Sequence, residues 1–260
     1  MNGPIEPGLC SVTLRALGTE EVIDLAVATG LTAVEWGGDV HLPPGADAAA
    51  ALAARCADAG LTCPSYGSYL QVSWEDEAAV ARHLDTAAEL GAANVRVWCP
   101  WGVVPTSPDD ERAPVAPALR AIAEAAAERD LTVSVEFHPH TLTETAVSAN
   151  RLLAEVDAPN LFTYWQPAVG LAVDELLAEL VAVTPSLSHL HVFRWDAEGG
   201  RLALERGADL WPAAFDAVSE ADETGRWTGQ RYAFLEFVAG DDPDQLARDA
   251  ATVRSWLGGP

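Results

Sequence analysis

The 260-residue sequence contains no lysine, and all 15 of its basic residues are arginine. That absence excludes every mechanism that needs a lysine amine, including Schiff-base aldolases, pyridoxal-phosphate enzymes and Walker-type phosphate loops. Positive charge is scarce altogether. Fifteen basic residues face 39 acidic ones, a formal charge of -24 that repels phosphate backbones and anionic lipid surfaces. No nucleic-acid or membrane partner is expected. Long hydrophobic runs are missing too: 49% hydrophobic residues and a mean hydropathy of +0.08 suffice for a sizeable core, but no stretch is apolar enough to span a bilayer. The cysteines, Cys10, Cys56, Cys63 and Cys99, form neither a C-x-x-C pair nor a disulfide framework. Reduced thiols and a cytoplasmic location are the expectation. The opening MNGPIEPGLC lacks the charged and apolar regions of a secretion signal.

What is present is alternation. Short β-rich runs near 9–15, 32–36, 61–66, 94–99, 131–138, 161–166, 187–193 and 232–238 alternate with Ala/Leu/Glu-rich stretches of helical period. The helical stretches lie near 19–29, 46–59, 75–90, 112–129, 144–156, 171–183, 209–222 and 243–257. Gly30, Gly60 and Gly91 close the first three helices and lead straight into strands. Eight βα units without a linker or composition break predict an α/β fold, one (β/α)8 TIM barrel over residues 1–260. A doubly wound sheet is the alternative, but no G-x-G-x-x-G follows the first strand and no mid-point boundary is visible.

A barrel of this kind carries function at the C-terminal ends of its strands. Five of the six histidines fall there and only His83 falls on a helix. Residues two apart on a strand share a face, so Thr132, Ser134, Glu136 and His138 point one way, into the barrel. The same parity places His189 and His191 inside on the seventh strand and Glu236 inside on the eighth, and Gln166 on the sixth strand can lie between Glu136 and His191. Two carboxylates, an imidazole and an amide oxygen make a plausible octahedral site for Mg2+, Mn2+ or Co2+. The competing reading pairs Glu136 with Arg96 and leaves His189 and His191 as hydrogen-bonded core groups.

With these residues in place, the chain resembles the xylose-isomerase-like barrels of the sugar-phosphate isomerase/epimerase family. The group includes hydroxypyruvate isomerases, ketose 3-epimerases, inosose dehydratases and endonuclease IV. The matching segments are AVEWGGDVH, LTVSVEFHPHTLTET, LSHLHVFRWD and YAFLEFV, and the likeness covers nearly the whole chain. It implies one divalent metal, Mn2+ or Mg2+ first, with Co2+ or Zn2+ as alternatives. By the family pattern Glu136, Gln166, His191 and Glu236 hold it, with Glu136 and Glu236 also acting as the catalytic acid/base pair. Gln166 departs from the pattern, since most relatives place Asp there. The implied activity is isomerisation or epimerisation of a ketose or related keto-polyol through an enediolate. A lyase or dehydratase acting on a keto-sugar or inosose is one alternative; a non-catalytic sugar-binding barrel with a decayed metal site is another. Endonuclease activity is opposed by the charge and by the lack of a richer His/Asp cluster.

Other rim residues are candidates for binding a small carbohydrate: His41, beside Asp39 after a Gly-Gly turn, Ser68, Trp98, His138, Trp165 and Arg194. Nine tryptophans is a high number, and aromatic faces stack on sugar C-H surfaces. Each candidate also has a structural alternative: a loop cap for His138, a loop salt bridge for Arg194, strand-helix filler for the tryptophans. Glu35 and Arg96 are expected to pair inside the barrel. A homo-oligomer is allowed but not specified.

Overall fold

The computed structural model describes residues 5–45, 47–221 and 225–259. The expected helix limits at 46 and 222 fall outside them. Parallel strands β1 (Glu6–Cys10), β2 (Ala33–Gly37), β3 (Ser65–Gln71), β4 (Asn94–Trp98), β5 (Thr132–Val135), β6 (Leu161–Trp165), β7 (Leu187–Val192) and β8 (Tyr232–Leu235) pair in sequence order. β8 pairs with β1 and closes the barrel, with Glu6 opposite Tyr232 and Leu9 opposite Leu235. Helices follow the strands around the outside, and an antiparallel pair of two-residue strands, Arg194–Trp195 and Arg201–Leu202, decorates the loop after β7. No helix of the described residues is long and apolar enough to cross a membrane.

Strand parity divides the chain into two environments. Outward residues such as Val34, Trp36, Val95, Val97, Val133 and Val135 join the apolar layer beneath the helices. Each fully buried aliphatic side chain there contributes about 1.5–3 kcal/mol. Inward residues build a different interior. Phe234, Tyr164, Tyr232 and Ala33 form an aromatic plug. Around it, the Asn94 amide donates to Ser65 (3.1 Å), the Ser134 hydroxyl donates to Asn94 Oδ1 (2.8 Å), and Ser134 also meets Ser188 at 2.8 Å. These satisfied contacts give the cluster above them a rigid polar floor.

Several boundaries differ from the sequence expectation. β1 ends at Cys10, and Ser11–Leu14 forms a 3-10 turn instead of continuing the strand. The Ser11 hydroxyl explains the departure, since it accepts the Gly37 N-H at 2.9 Å and pins the turn to β2. β3 starts later than expected because Thr62 makes only an isolated bridge to Ala33 and Pro64 has no N-H to offer the ladder. The expected helix 112–129 is a short turn, Asp109–Arg112, followed past Pro114 by a helix over Val115–Ala127. Gly30, Gly60 and Gly91 do adopt positive φ, between 70° and 77°, at the ends of their helices.

Candidate active site

The C-terminal mouth gathers Cys10 from β1, Glu35 from β2, Arg96 from β4, Tyr164 from β6 and His191 from β7. Glu136, Gln166 and Glu236 follow the last residues of β5, β6 and β8. None of the ionisable members or Gln166 is more than 5% exposed. His191 stands at the centre. Its Nδ1 lies 3.2 Å from Gln166 Oε1, 3.2 Å from Glu236 Oε2 and 3.9 Å from Glu136 Oε1. The Gln166 amide nitrogen donates to Glu136 Oε1 at 3.3 Å. Three of the residues that the family pattern singles out therefore surround a ring nitrogen of the fourth.

The opposite side of the ring is held as firmly. His191 Nε2 is 3.1 Å from Glu35 Oε1, which also accepts from Arg96 Nε at 3.1 Å. Arg96 Nη1 bonds Glu136 Oε2, so the expected Glu35–Arg96 pair and the Glu136–Arg96 pair coexist in one chain of charges. Gly67 makes room for it: a Cβ there would come within 2.6 Å of Arg96 Nη2. Burial alone would raise the Glu35 pKa, but the Arg96 and His191 charges hold it well below the usual carboxylate range. Burial would likewise deprotonate His191, yet the charges of Glu236 and Glu35 push its pKa well above the ordinary value. Burial and the adjacent Glu236 and Glu35 charges raise the Cys10 thiol to about 12.

Charge and hydrogen-bond accounting show what the cluster lacks. Three buried carboxylates, Glu35, Glu136 and Glu236, face one buried guanidinium, Arg96, and an imidazole. Arg96 Nη2 is buried with no hydrogen bond among the described residues, and the one close contact of Glu236 Oε2 is His191 Nδ1 at 3.2 Å. A divalent cation would cancel the remaining formal charge with a neutral imidazole. The donor types fit such an ion. Among the described residues, Cys10, Glu35 and His191 form the tightest His/Cys/carboxylate group, with one ligand atom each lying within 4.8 Å of the others. That group shares its carboxylate with Arg96, whose positive charge opposes a cation on that side of the ring.

The substrate-binding candidates sort by position. Trp98 and His138 stand at the mouth with ring centroids 4.4 Å apart and tilted by 32°, and Tyr69 stacks on Trp98 at 5.6 Å. Arg194 lines a cavity of about 510 Å³ between the loops after β6 and β7, where it pairs with Asp209 at 3.0 Å. Three candidates are engaged elsewhere. Trp165, one residue out of phase with Gln166, is turned outward and packs on Trp211 at 5.9 Å. His41 is spent on loop contacts, with Nδ1 2.9 Å from Ser11 Oγ and Nε2 3.2 Å from Leu17 O, and burial lowers its pKa. The Ser68 hydroxyl donates to Arg96 O at 2.7 Å and accepts the Leu70 N-H, which stabilises the irregular end of β3.

Sequence reasoning missed three members. Cys10 was hidden by placing the first strand too late. Tyr164 donates to Glu35 Oε2 at 2.6 Å, and it was within reach of two-residue parity from Gln166. Tyr69 adopts φ 58° and lies 5.4 Å above the Arg96 guanidinium, held through its hydroxyl by Arg15 (3.1 Å). No local pattern signals that turn.

His189 sits one layer below His191, as the strand register predicts. Its Nδ1 accepts the Tyr232 N-H at 3.1 Å among the rings of Tyr164, Trp227 and Phe234. Burial, helped by the Arg231 charge, lowers its pKa to about 3. A folded-state pKa below the unfolded one means that the unfolded chain takes up the proton first on acidification. Stability should therefore be intact above about pH 6.5 and fall by up to about 1.4 kcal/mol per pH unit toward pH 3. Melting temperatures at a series of pH values check this. His189→Gln should show a shallower decline between about pH 6 and pH 4, and parallel curves would remove His189 from the account.

A closed eight-stranded parallel barrel with helices outside and a polar cluster at its C-terminal mouth is a TIM barrel. The chain belongs to the xylose isomerase-like TIM barrel family, whose model matches residues 23–232. No curated protein matches the sequence. Among solved structures, the fold is similar to the probable 3-DHS dehydratase AsbF from Bacillus anthracis (TM-score 0.79, 17% identity, covering 96% of this chain and 98% of that one). It is also similar to D-psicose 3-epimerase from Clostridium cellulolyticum H10 (TM-score 0.76, 15% identity, 98% of each chain). A third match is 3-keto-D-glucoside 4-epimerase YcjR from E. coli (TM-score 0.71, 19% identity, 98% and 99%).

Proposed function

We propose that the protein, acting as one barrel domain over residues 1–260, is a divalent-metal-dependent isomerase or epimerase of a ketose or related keto-polyol. The observation that carries this reading is the meeting of Glu136, Gln166 and Glu236 around His191 Nδ1 in a buried cluster short of positive charge. Two carboxylates, one imidazole nitrogen and one amide oxygen suit Mn2+ or Mg2+, with Co2+ or Zn2+ as alternatives. When bound, the ion polarises the substrate carbonyl and stabilises charge on its oxygen.

The chain's own residues supply the rest. One of Glu136 and Glu236 takes the proton next to the carbonyl. The other returns a proton to the opposite face, for epimerisation, or to the neighbouring carbon, for isomerisation. Arg96 fixes Glu136 through Nη1 and leaves Nη2 free to donate to a substrate oxygen. Tyr69, Trp98 and His138 offer aromatic faces to sugar C-H groups and keep water from the reacting carbon. Arg194, with Phe193 and Trp195 on the same cavity wall, receives the far end of the substrate. The free thiols agree with a cytoplasmic setting.

Because a probable dehydratase shares the fold, elimination of water after the same first step is the second reading. One screen addresses both: ketoses, ketose phosphates and inososes in deuterated water with Mn2+, followed by proton NMR. Deuterium should enter beside the carbonyl of a substrate, and the product then separates isomerase, epimerase and dehydratase. Protein that binds Mn2+ yet exchanges no proton in any of these compounds would point instead to a non-catalytic sugar-binding barrel.

Gln166 gives a further expectation. Gln166→Glu preserves length but adds a charge 3.3 Å from Glu136. The variant should melt lower without metal and bind Mn2+ about tenfold more tightly, because affinity rises with ligand charge. Its turnover should drop, since the amide N-H donor is gone. Isothermal titration with Mn2+ and melting curves check this, and unchanged affinity would take residue 166 out of the ligand set.

A further inference from the structure

We propose that Glu35 is a positioning residue, which reaches across the barrel to fix the tautomer and ring orientation of His191 so that Nδ1 is presented to the metal. This rests on the metal-dependent reading above. β2 and β7 are not neighbours, being separated in the barrel by β1 and β8. Glu35 Oε1 nevertheless lies 3.1 Å from His191 Nε2, and both side chains are fully buried. An Nε2-H committed to a carboxylate leaves the Nδ1 lone pair for the other side of the ring, where Gln166 and Glu236 stand at 3.2 Å.

The carboxylate is itself immobilised. Oε1 takes the Arg96 Nε-H at 3.1 Å and faces the Cys10 thiol at 3.4 Å, while Oε2 takes the Tyr164 hydroxyl at 2.6 Å. The Tyr164 hydroxyl is anchored in turn at 2.7 Å from Ser65 Oγ in the polar floor. Tyr164 also packs its ring edge-to-face on His191, with centroids 5.0 Å apart at 77°. A glutamate serving only as counter-ion to Arg96 would need neither the span to β7 nor the second oxygen's anchor.

The test is Mn2+ titration of the full-length wild type, Glu35→Gln and Glu35→Leu, with melting curves to establish folding. Glu35→Leu should bind Mn2+ about 10–100-fold more weakly, and Glu35→Gln should fall between it and wild type because its amide oxygen still accepts the Nε2-H. Leu affinity within about threefold of wild type, or Gln weaker than Leu, would overturn the proposal. Should Glu35→Leu fail to fold, the isosteric Gln variant decides, through the His191 Nε2-H resonance of Zn2+-loaded protein. The signal should shift and exchange faster with water; an unmoved signal counts against positioning. Absence of Mn2+ binding by wild type would overturn the parent reading together with this one, whereas wild-type binding with unaffected variants overturns this one alone.

Discussion

Glu236→Gln is expected to cut turnover by about 10²–10⁴ while leaving the fold intact, the loss typical of a general acid/base group. The substitution preserves volume in a site only 4% exposed and retains an oxygen for the metal, so what disappears is the basic carboxylate beside His191 Nδ1. Steady-state rates at saturating substrate, with melting curves for both proteins, measure the effect. Retention of more than about a tenth of the wild-type rate would reduce Glu236 to a ligand.

Arg96→Met carries the largest expected effect on stability. Arg96 is the buried cation between Glu35 and Glu136, and its removal strands two carboxylates with little solvent access. Breaking a buried ion pair from one side costs about 3–5 kcal/mol. The cation-site account adds a second expectation: Mn2+ should raise the melting temperature of Arg96→Met more than that of wild type, because it restores positive charge to the same cluster. Equal shifts in the two proteins would indicate that the ion binds elsewhere.

Much of this arrangement is legible in the amino-acid sequence. The barrel follows from counting βα alternations, which survive errors of several residues at each boundary. Parity along β5, β7 and β8 brings Glu136, His191 and Glu236 together, since two-residue periodicity holds wherever the strand is regular, and the family pattern adds Gln166 between them. Parity also separates His189 from His191 by one layer. The errors arose where regularity ends. Ser11–Leu14 has strand-like composition but is held in a turn by a hydroxyl bonded to another strand, and that misplacement concealed Cys10. The irregular end of β3 puts Tyr69 at positive φ over Arg96 and leaves Ser68 bonded to backbone. Trp165 lies close to the mouth in sequence but faces the helices, so nearness to the strand end was outweighed by parity. His41 shows that a polar residue after a glycine turn can be consumed by the turn itself.

The most direct test of the central claim is pulsed electron paramagnetic resonance of Mn2+ bound to the wild type, His191→Ala and His189→Ala. A centre built on His191 Nδ1 predicts coupling of the manganese to one imidazole nitrogen in wild type, its persistence in His189→Ala and its loss in His191→Ala. Bound manganese with no nitrogen coupling, or coupling that survives in His191→Ala, would contradict the assignment of this cluster as the metal centre.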